Sequence, residues 1–138
     1  MSIFVDTSAF FAVLDEGEQN HALALQRLQY LVSGLIPMTT SNYVVVETCA
    51  LLQRRLSLKA VRTFREEVLP SVTVTWVTER QHEIGLASVV RSDRRKLSLV
   101  DCISFEVMRD NGLRTAFAFD RHFADEGFDC NIPVAKSH

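Results

Sequence analysis

A chain of 138 residues, 47% hydrophobic and 23% charged, can bury one core of its own without disulfide or metal staples. That balance excludes disordered, collagen-like and coiled-coil classes. The net charge of -2 supplies no general pull toward nucleic acid, so any such binding must use a local basic patch or bound cations.

The elements, in chain order, begin with Ile3 to Val5, a short continuously apolar run expected as a central strand buried on both faces. Asp6, Thr7 and Ser8 are successive helix-capping types before the apolar stretch Ala9 to Leu14, and Asp15-Glu16-Gly17 breaks that helix. Leu and Ala recur at helical spacing from about Asn20 to Val32. A second strand is expected at Leu35 to Met38, with Thr39-Thr40-Ser41 capping a helix that runs to about Arg55. Ser57 opens another helix that ends before Pro70, and Val72 to Val77 is β-branched and reads as the third strand. A helix from about Glu79 to Val90 precedes the basic run Arg91 to Lys96. Ser98 to Asp101 has the form of a capping box, and Asn111-Gly112 stops the helix it opens. Thr115 to Phe119 is the fourth strand, and Ile132 to Val134 is a short candidate edge strand. Helices alternating with short apolar strands indicate an α/β domain with a mostly parallel sheet.

Cys49, Cys102 and Cys130 lack C-x-x-C spacing, against a disulfide framework or zinc knuckle and in favour of a reducing, cytoplasmic setting. No apolar run approaches the roughly 18 to 20 residues that span a bilayer, and the N-terminus lacks a basic region leading into a cleavable apolar segment. A soluble, uncleaved chain is expected.

Four acids stand out. Asp6 and Asp120 follow the apolar runs Ile3-Phe4-Val5 and Phe117-Ala118-Phe119, which places both at strand ends, where ligands gather in open parallel sheets. Each has a plain alternative role as a helix cap, and Asp101 could simply complete the box with Ser98. Glu47 is harder to dismiss. It shares a helical face with Val44, Thr48 and Leu51 in an almost wholly apolar segment, and a Glu there is rarely fully buried unless paired. Four converging carboxylates would repel by about 4 kcal/mol per pair at 4 Å and an effective dielectric near 20. Lys59, Lys96 and Lys136 do not neighbour any of them in sequence. A divalent metal is the better neutraliser, and an all-oxygen site suits Mg²⁺ or Mn²⁺, which act on phosphate esters. Phosphate-binding glycine loops, dinucleotide fingerprints and H-E-x-x-H zinc spacing are absent from the sequence. The position two after Asp6 is Ser8, unlike the D-x-D of haloacid dehalogenase-type phosphatases.

Phe4-Val5-Asp6-Thr7-Ser8-Ala9, Val46-Glu47, Leu99-Val100-Asp101 and Phe119-Asp120-Arg121-His122-Phe123, in that order, resemble the PIN-domain ribonucleases, especially the VapC-type toxins of prokaryotic toxin-antitoxin pairs. The resemblance implies one PIN-like nuclease domain over residues 1–138: a three-layer fold with a four- to five-stranded, mostly parallel sheet between helices. It implies a Mg²⁺- or Mn²⁺-dependent endoribonuclease in which Asp6, Glu47, Asp101 and Asp120 hold metal and Ser8, with Thr7 beside it, supplies a hydroxyl to the site. A fifth acid occurs in some members shortly after the fourth, and two residues on this chain has His122. The resemblance further implies a homodimer and a cognate antitoxin covering the site. Arg54, Arg55, Arg94, Arg95, Lys96 and Arg121 are candidate phosphate contacts, and single-stranded or looped RNA is the expected substrate. A housekeeping RNA-processing nuclease, or a catalytically silent binding module on the same fold, are the alternatives. A neighbouring reading frame for a small antitoxin separates the first from a toxin, and retention of all four acids argues against the second.

Overall fold

The computed structural model describes residues 2–134; Lys136 and His138 lie outside that range. Its frame is a four-stranded sheet of β1 (Ile3–Val5), β2 (Met38–Ser41), β3 (Val72–Thr75) and β4 (Thr115–Phe117). The spatial order is β3-β2-β1-β4 and every pairing is parallel. The helices are α1 (Thr7–Leu14), α2 (His21–Ser33), α3 (Asn42–Arg55), α4 (Leu58–Thr63), α5 (Glu79–Ser92), α6 (Leu99–Asp110) and the short α7 (His122–Asp125). After α4 the chain continues through a π-helical turn, Phe64–Val68, and a 3-10 turn, Leu69–Ser71, that contains Pro70.

This topology positions the site. The chain steps from β1 to β2 to β3 in one direction and then returns to place β4 on the other side of β1. Because parallel crossovers are right-handed, α1 to α4 cover one face and α5 and α6 the other. The reversal falls between β1 and β4, and a crevice opens beyond their carboxyl ends at such a switch point. Phe4, Val5, Ala116 and Phe117 are buried there, so the central strands are apolar on both faces, and the acids begin where the strands stop.

Three expected boundaries move, each for a reason that involves distant residues. The second strand occupies Met38–Ser41 rather than Leu35 to Met38. Leu35 has φ 53° and closes α2, its N–H bonding Val32 O while the Ile36 N–H reaches Leu31 O, which is a Schellman ending. Thr40 joins the strand and donates its buried hydroxyl to Val5 O at 2.7 Å, leaving Ser41 alone to cap α3. The third strand ends at Thr75 instead of Val77 because the Val77 N–H leaves the ladder for Asn42 Oδ1, 2.7 Å away. The fourth ends at Phe117 instead of Phe119, whose N–H donates to Ser8 Oγ at 2.9 Å. The expected edge strand at Ile132 to Val134 does not form. Pro133 has no N–H to offer a ladder, and the sheet is extended nearby by a bridge between Thr115 and Asp129. Asp129 Oδ1 then accepts from Asn131 N and turns the chain.

Helix α6, which carries Asp101, is clamped by α5 at Gly85. A Cβ built there would collide with the Ile103 side chain and lie 3.2 and 3.3 Å from the Ile103 N and Cα. Gly85→Ala must therefore push the helices apart. The expected loss is about 1 to 3 kcal/mol, the usual range for overpacking, read by urea denaturation of the variant against the wild type.

Candidate active site

Asp6 ends β1 and caps α1. Its Oδ2 accepts from the Ser8 N–H at 3.1 Å and from the Ser8 hydroxyl at 2.7 Å. Ser8 Oγ in turn accepts from the Phe119 N–H, and the Asp6 N–H donates to Phe117 O at 3.0 Å. One serine thus ties the ends of β1 and β4 together and fixes the Asp6 carboxylate. The other oxygen, Oδ1, is buried and has no hydrogen-bond partner among the described residues.

Asp120 follows β4 by way of Ala118 and Phe119, and its Oδ1 accepts from the His122 N–H at 3.0 Å. Asp101 enters from α6. It completes a capping box, with its own N–H bonded to Ser98 Oγ at 3.0 Å and its Oδ2 accepting from the Ser98 N–H at 3.1 Å. The capping roles expected of Asp6 and Asp101 are real, α7 is instead capped at Arg121 without a side-chain bond, and all three carboxylates still converge. Asp6, Asp101 and Asp120 each place an oxygen within 4.8 Å of the others'.

Glu47, half-buried on α3, stands outside that trio but feels its field. Burial pushes its carboxyl above the ordinary range; the nearby Thr7 hydroxyl opposes this, and Asp101 and Asp120 add to it. Thr7 is fixed from the same helix, accepting from the Thr48 hydroxyl at 3.1 Å. Asp6 is raised most strongly, first by burial and then by Asp120, against the two Ser8 hydrogen bonds. Asp101 is raised by burial, with the Ser98 backbone hydrogen bond opposing, Asp120 adding and His122 opposing. Each direction expresses one fact: negative charge is held here at a cost the protein does not itself offset.

Among the described residues no Lys or Arg pairs with the trio. The imidazole of His122 approaches it, with Nε2 4.0 Å from Asp101 Oδ2. Three carboxylate oxygens in reach of one another, with an unpartnered buried oxygen on Asp6, match the hard, all-oxygen donor set of Mg²⁺ or Mn²⁺. The residues fit such an ion.

Next to the acids, reached through His122, a recess of about 510 Å³ is lined by Arg94, Arg95, Lys96, Arg121, His122 and Asp125. The basic run before α6 and Arg121 before α7 are brought to one place, with Asp125 as the single acid of the lining, 3.8 Å from Arg94. Arg54 and Arg55 lie elsewhere, at the end of α3, where the Arg55 guanidinium sits 6.0 Å from the Phe11 ring centroid.

Two residues that sequence reasoning passes over belong to this neighbourhood. His122, which in the sequence marks only the place of a missing fifth acid, approaches Asp101 and binds Asp120 through its backbone. Arg27 lies on α2, legible in the sequence only as a helix, yet its guanidinium covers the Phe119 ring at 5.4 Å. No local signal marks Arg27. His122 has one, its place two residues after a strand-end acid.

A family model described as "PIN domain" matches residues 3–128. The chain is 38% identical over 128 residues to the protein named "23S rRNA-specific endonuclease VapC20" of Mycobacterium tuberculosis, from strains CDC 1551 / Oshkosh and ATCC 25618 / H37Rv; the match covers 91% of this chain and 95% of the relative. The crystal structure of Mycobacterium tuberculosis VapC20, described as a Sarcin-Ricin loop cleaving toxin, superimposes with a TM-score of 0.82 at 37% identity, over 95% of this chain and 99% of that one.

Proposed function

The chain belongs to the PIN-domain family as a VapC-type toxin ribonuclease, and from that premise we propose that Asp6, Asp101 and Asp120, with Glu47 beside them, form a Mg²⁺- or Mn²⁺-dependent centre that hydrolyses a phosphodiester bond of RNA. The observation that carries the reading is the convergence of three carboxylates within 4.8 Å at the sheet's switch point, one of them with an unpartnered buried oxygen. Residues 1–138 are taken as one nuclease domain.

In this reading Asp6, Asp101 and Asp120 hold the ion, and Glu47 orients water from the rim. When bound, a divalent ion supplies Lewis-acid charge to the phosphate and makes a water more acidic. Ser8 positions Asp6 and joins the two strand ends, so that the carboxylate needs little reorganisation during the reaction. His122 orients Asp120 through its backbone N–H. Arg94, Arg95, Lys96 and Arg121 take the phosphates that flank the cut, Arg in particular through its two-pronged geometry. Looped or unpaired RNA suits the cleft, since its bases can be splayed away from the backbone.

The named relative acts on 23S rRNA, in the sarcin-ricin loop, and the same loop is the substrate we propose here. A cognate antitoxin and a cytoplasmic location follow from the toxin role. A homodimer is part of the proposal, and Leu86 and Val90, exposed one turn apart on α5, offer a contact surface for it. Among the described residues no helix is long and apolar enough to cross a membrane.

The test is incubation of the purified chain with an RNA oligonucleotide carrying the sarcin-ricin loop, in Mn²⁺. One cut within the loop is expected. Charge reversal at Arg95 and Arg121 should weaken binding to every RNA tried and flatten the salt dependence of log K by about 0.7 for each phosphate that is no longer neutralised. Cuts elsewhere with the loop intact would overturn the substrate, and no cleavage of any RNA would overturn the nuclease.

A further inference from the structure

A second recess, apolar and of about 280 Å³, is lined by Asn42, Tyr43, Val46, Glu47 and Val100. We propose that it seats the base of the nucleotide adjoining the scissile phosphate and sets which base that is; the proposal rests on the nuclease reading above.

Val100 directly precedes Asp101 on α6, and Glu47 is the fourth acid of the proposed centre, so the recess shares two walls with it. A strand whose phosphate sits at the trio and whose backbone follows the arginines has a base left to place, and no Arg or Lys lines this recess to hold phosphate instead. Size agrees. Pockets for drug-sized ligands start at about 300 Å³, and this recess is at that lower limit, suited to a single ring system.

The lining is built, not incidental. The Tyr43 hydroxyl is bonded to His82 Nδ1 at 2.8 Å, and the two rings meet edge to face with centroids 5.9 Å apart. That contact reaches across 39 residues and holds the tyrosine ring in place. Asn42 is fixed as well. The atom facing the Val77 N–H must be an acceptor, so it is Oδ1, at 2.7 Å, and the amide NH₂ remains as a two-proton donor for acceptor atoms on a base edge. Val46, meanwhile, is 68% exposed in mid-helix and adds little to the core. An apolar floor, a fixed aromatic ring and a committed amide donor are the parts from which single-stranded bases are bound by stacking and read by hydrogen bonds.

The test uses the full chain and RNA randomised on both sides of the wild-type cut. Sequencing the products should reveal a base preference at one position adjoining the cut. An abasic nucleotide at that position should slow cleavage by the wild type about 5- to 150-fold, the range for loss of one stacked base, whereas abasic nucleotides farther away should matter little. Val46→Gln, at an exposed site, should erase the preference and the abasic penalty together, and Val46→Ala should weaken both. If Val46→Gln does not fold, the abasic series on the wild type and the Val46→Ala profile still decide. An unchanged preference in a folded Val46 variant, or cleavage indifferent to the abasic nucleotide, overturns the proposal. So does an unchanged profile with an altered sedimentation coefficient, which would make the recess a protein contact. In all of these the wild type still cuts RNA; if it cuts none, the nuclease reading fails and the base site goes with it.

Discussion

Asp101→Asn is expected to lower RNA cleavage by about 10²- to 10³-fold while leaving the chain folded. The two halves of that expectation come from two jobs of one side chain. As a cap, Asp101 needs only an acceptor for the Ser98 N–H, and an asparagine oxygen serves nearly as well. As one of three converging carboxylates it supplies charge, which the amide does not, so metal affinity and the electrostatic stabilisation of the reacting phosphate fall together. Asp6→Asn should behave alike, since its amide oxygen can still accept from the Ser8 N–H at the start of α1. In metal-free buffer neither variant should melt below the wild type, and either can melt above it, because a buried charge and its repulsion are removed. Cleavage at the wild-type rate by folded Asp101→Asn would remove the trio from the mechanism.

A second large effect is an inverted dependence of stability on pH. Asp6, Glu47 and Asp101 all have carboxyl groups raised above their ordinary values in the folded chain, burial being the first cause of each. The folded state therefore binds these protons more tightly than the unfolded state does. Stability from these groups is present below the unfolded carboxylate values of about 4 and is lost as pH rises through the raised folded ones. Most native carboxylates act in the opposite sense. The melting temperature of Asp6→Asn minus that of the metal-free wild type should accordingly grow from acid toward neutral pH. Millimolar Mn²⁺ should reverse the trend for the wild type, since an ion that binds only the folded chain adds about 2.7 kcal/mol at a hundred times its Kd and binds better as its ligands deprotonate. A wild-type-to-variant difference that is flat with pH, together with no melting shift in Mn²⁺, would contradict the account.

The parts of the fold that are readable in the sequence are those decided by neighbouring residues. Ile3–Val5 as an interior strand, the Asp6 and Ser98 caps and the Asn111-Gly112 stop all depend on side chains within a turn of one another, and the structure has each of them. What is not readable depends on partners far along the chain. Leu35 looks like a strand residue until α2 needs a left-handed ending. Thr40 looks like part of a helix cap until its hydroxyl finds Val5 O. The site divides in the same way. Asp6 and Asp120 are visible as strand-end acids, and the basic character of Arg94 to Lys96 and Arg121 is visible as composition. Their assembly into one recess, the placement of Glu47 beside the trio and not within it, and the approach of His122 to Asp101 require the sheet order and the packing of α6 and α7 around it. Tyr43, which lines the apolar recess, and His82, which holds its hydroxyl, lie on separate helices with no pattern linking them.

The most direct measurement is RNA cleavage by the wild-type chain stripped with a chelator and then supplied with Mn²⁺ or Mg²⁺. Cleavage should be absent in the chelator and return with added ion in the wild type, yet stay about 10²- to 10³-fold lower in Asp101→Asn at the same ion concentration. Undiminished cleavage by the wild type in the chelator would contradict the assignment of Asp6, Asp101 and Asp120 as a metal-holding catalytic centre.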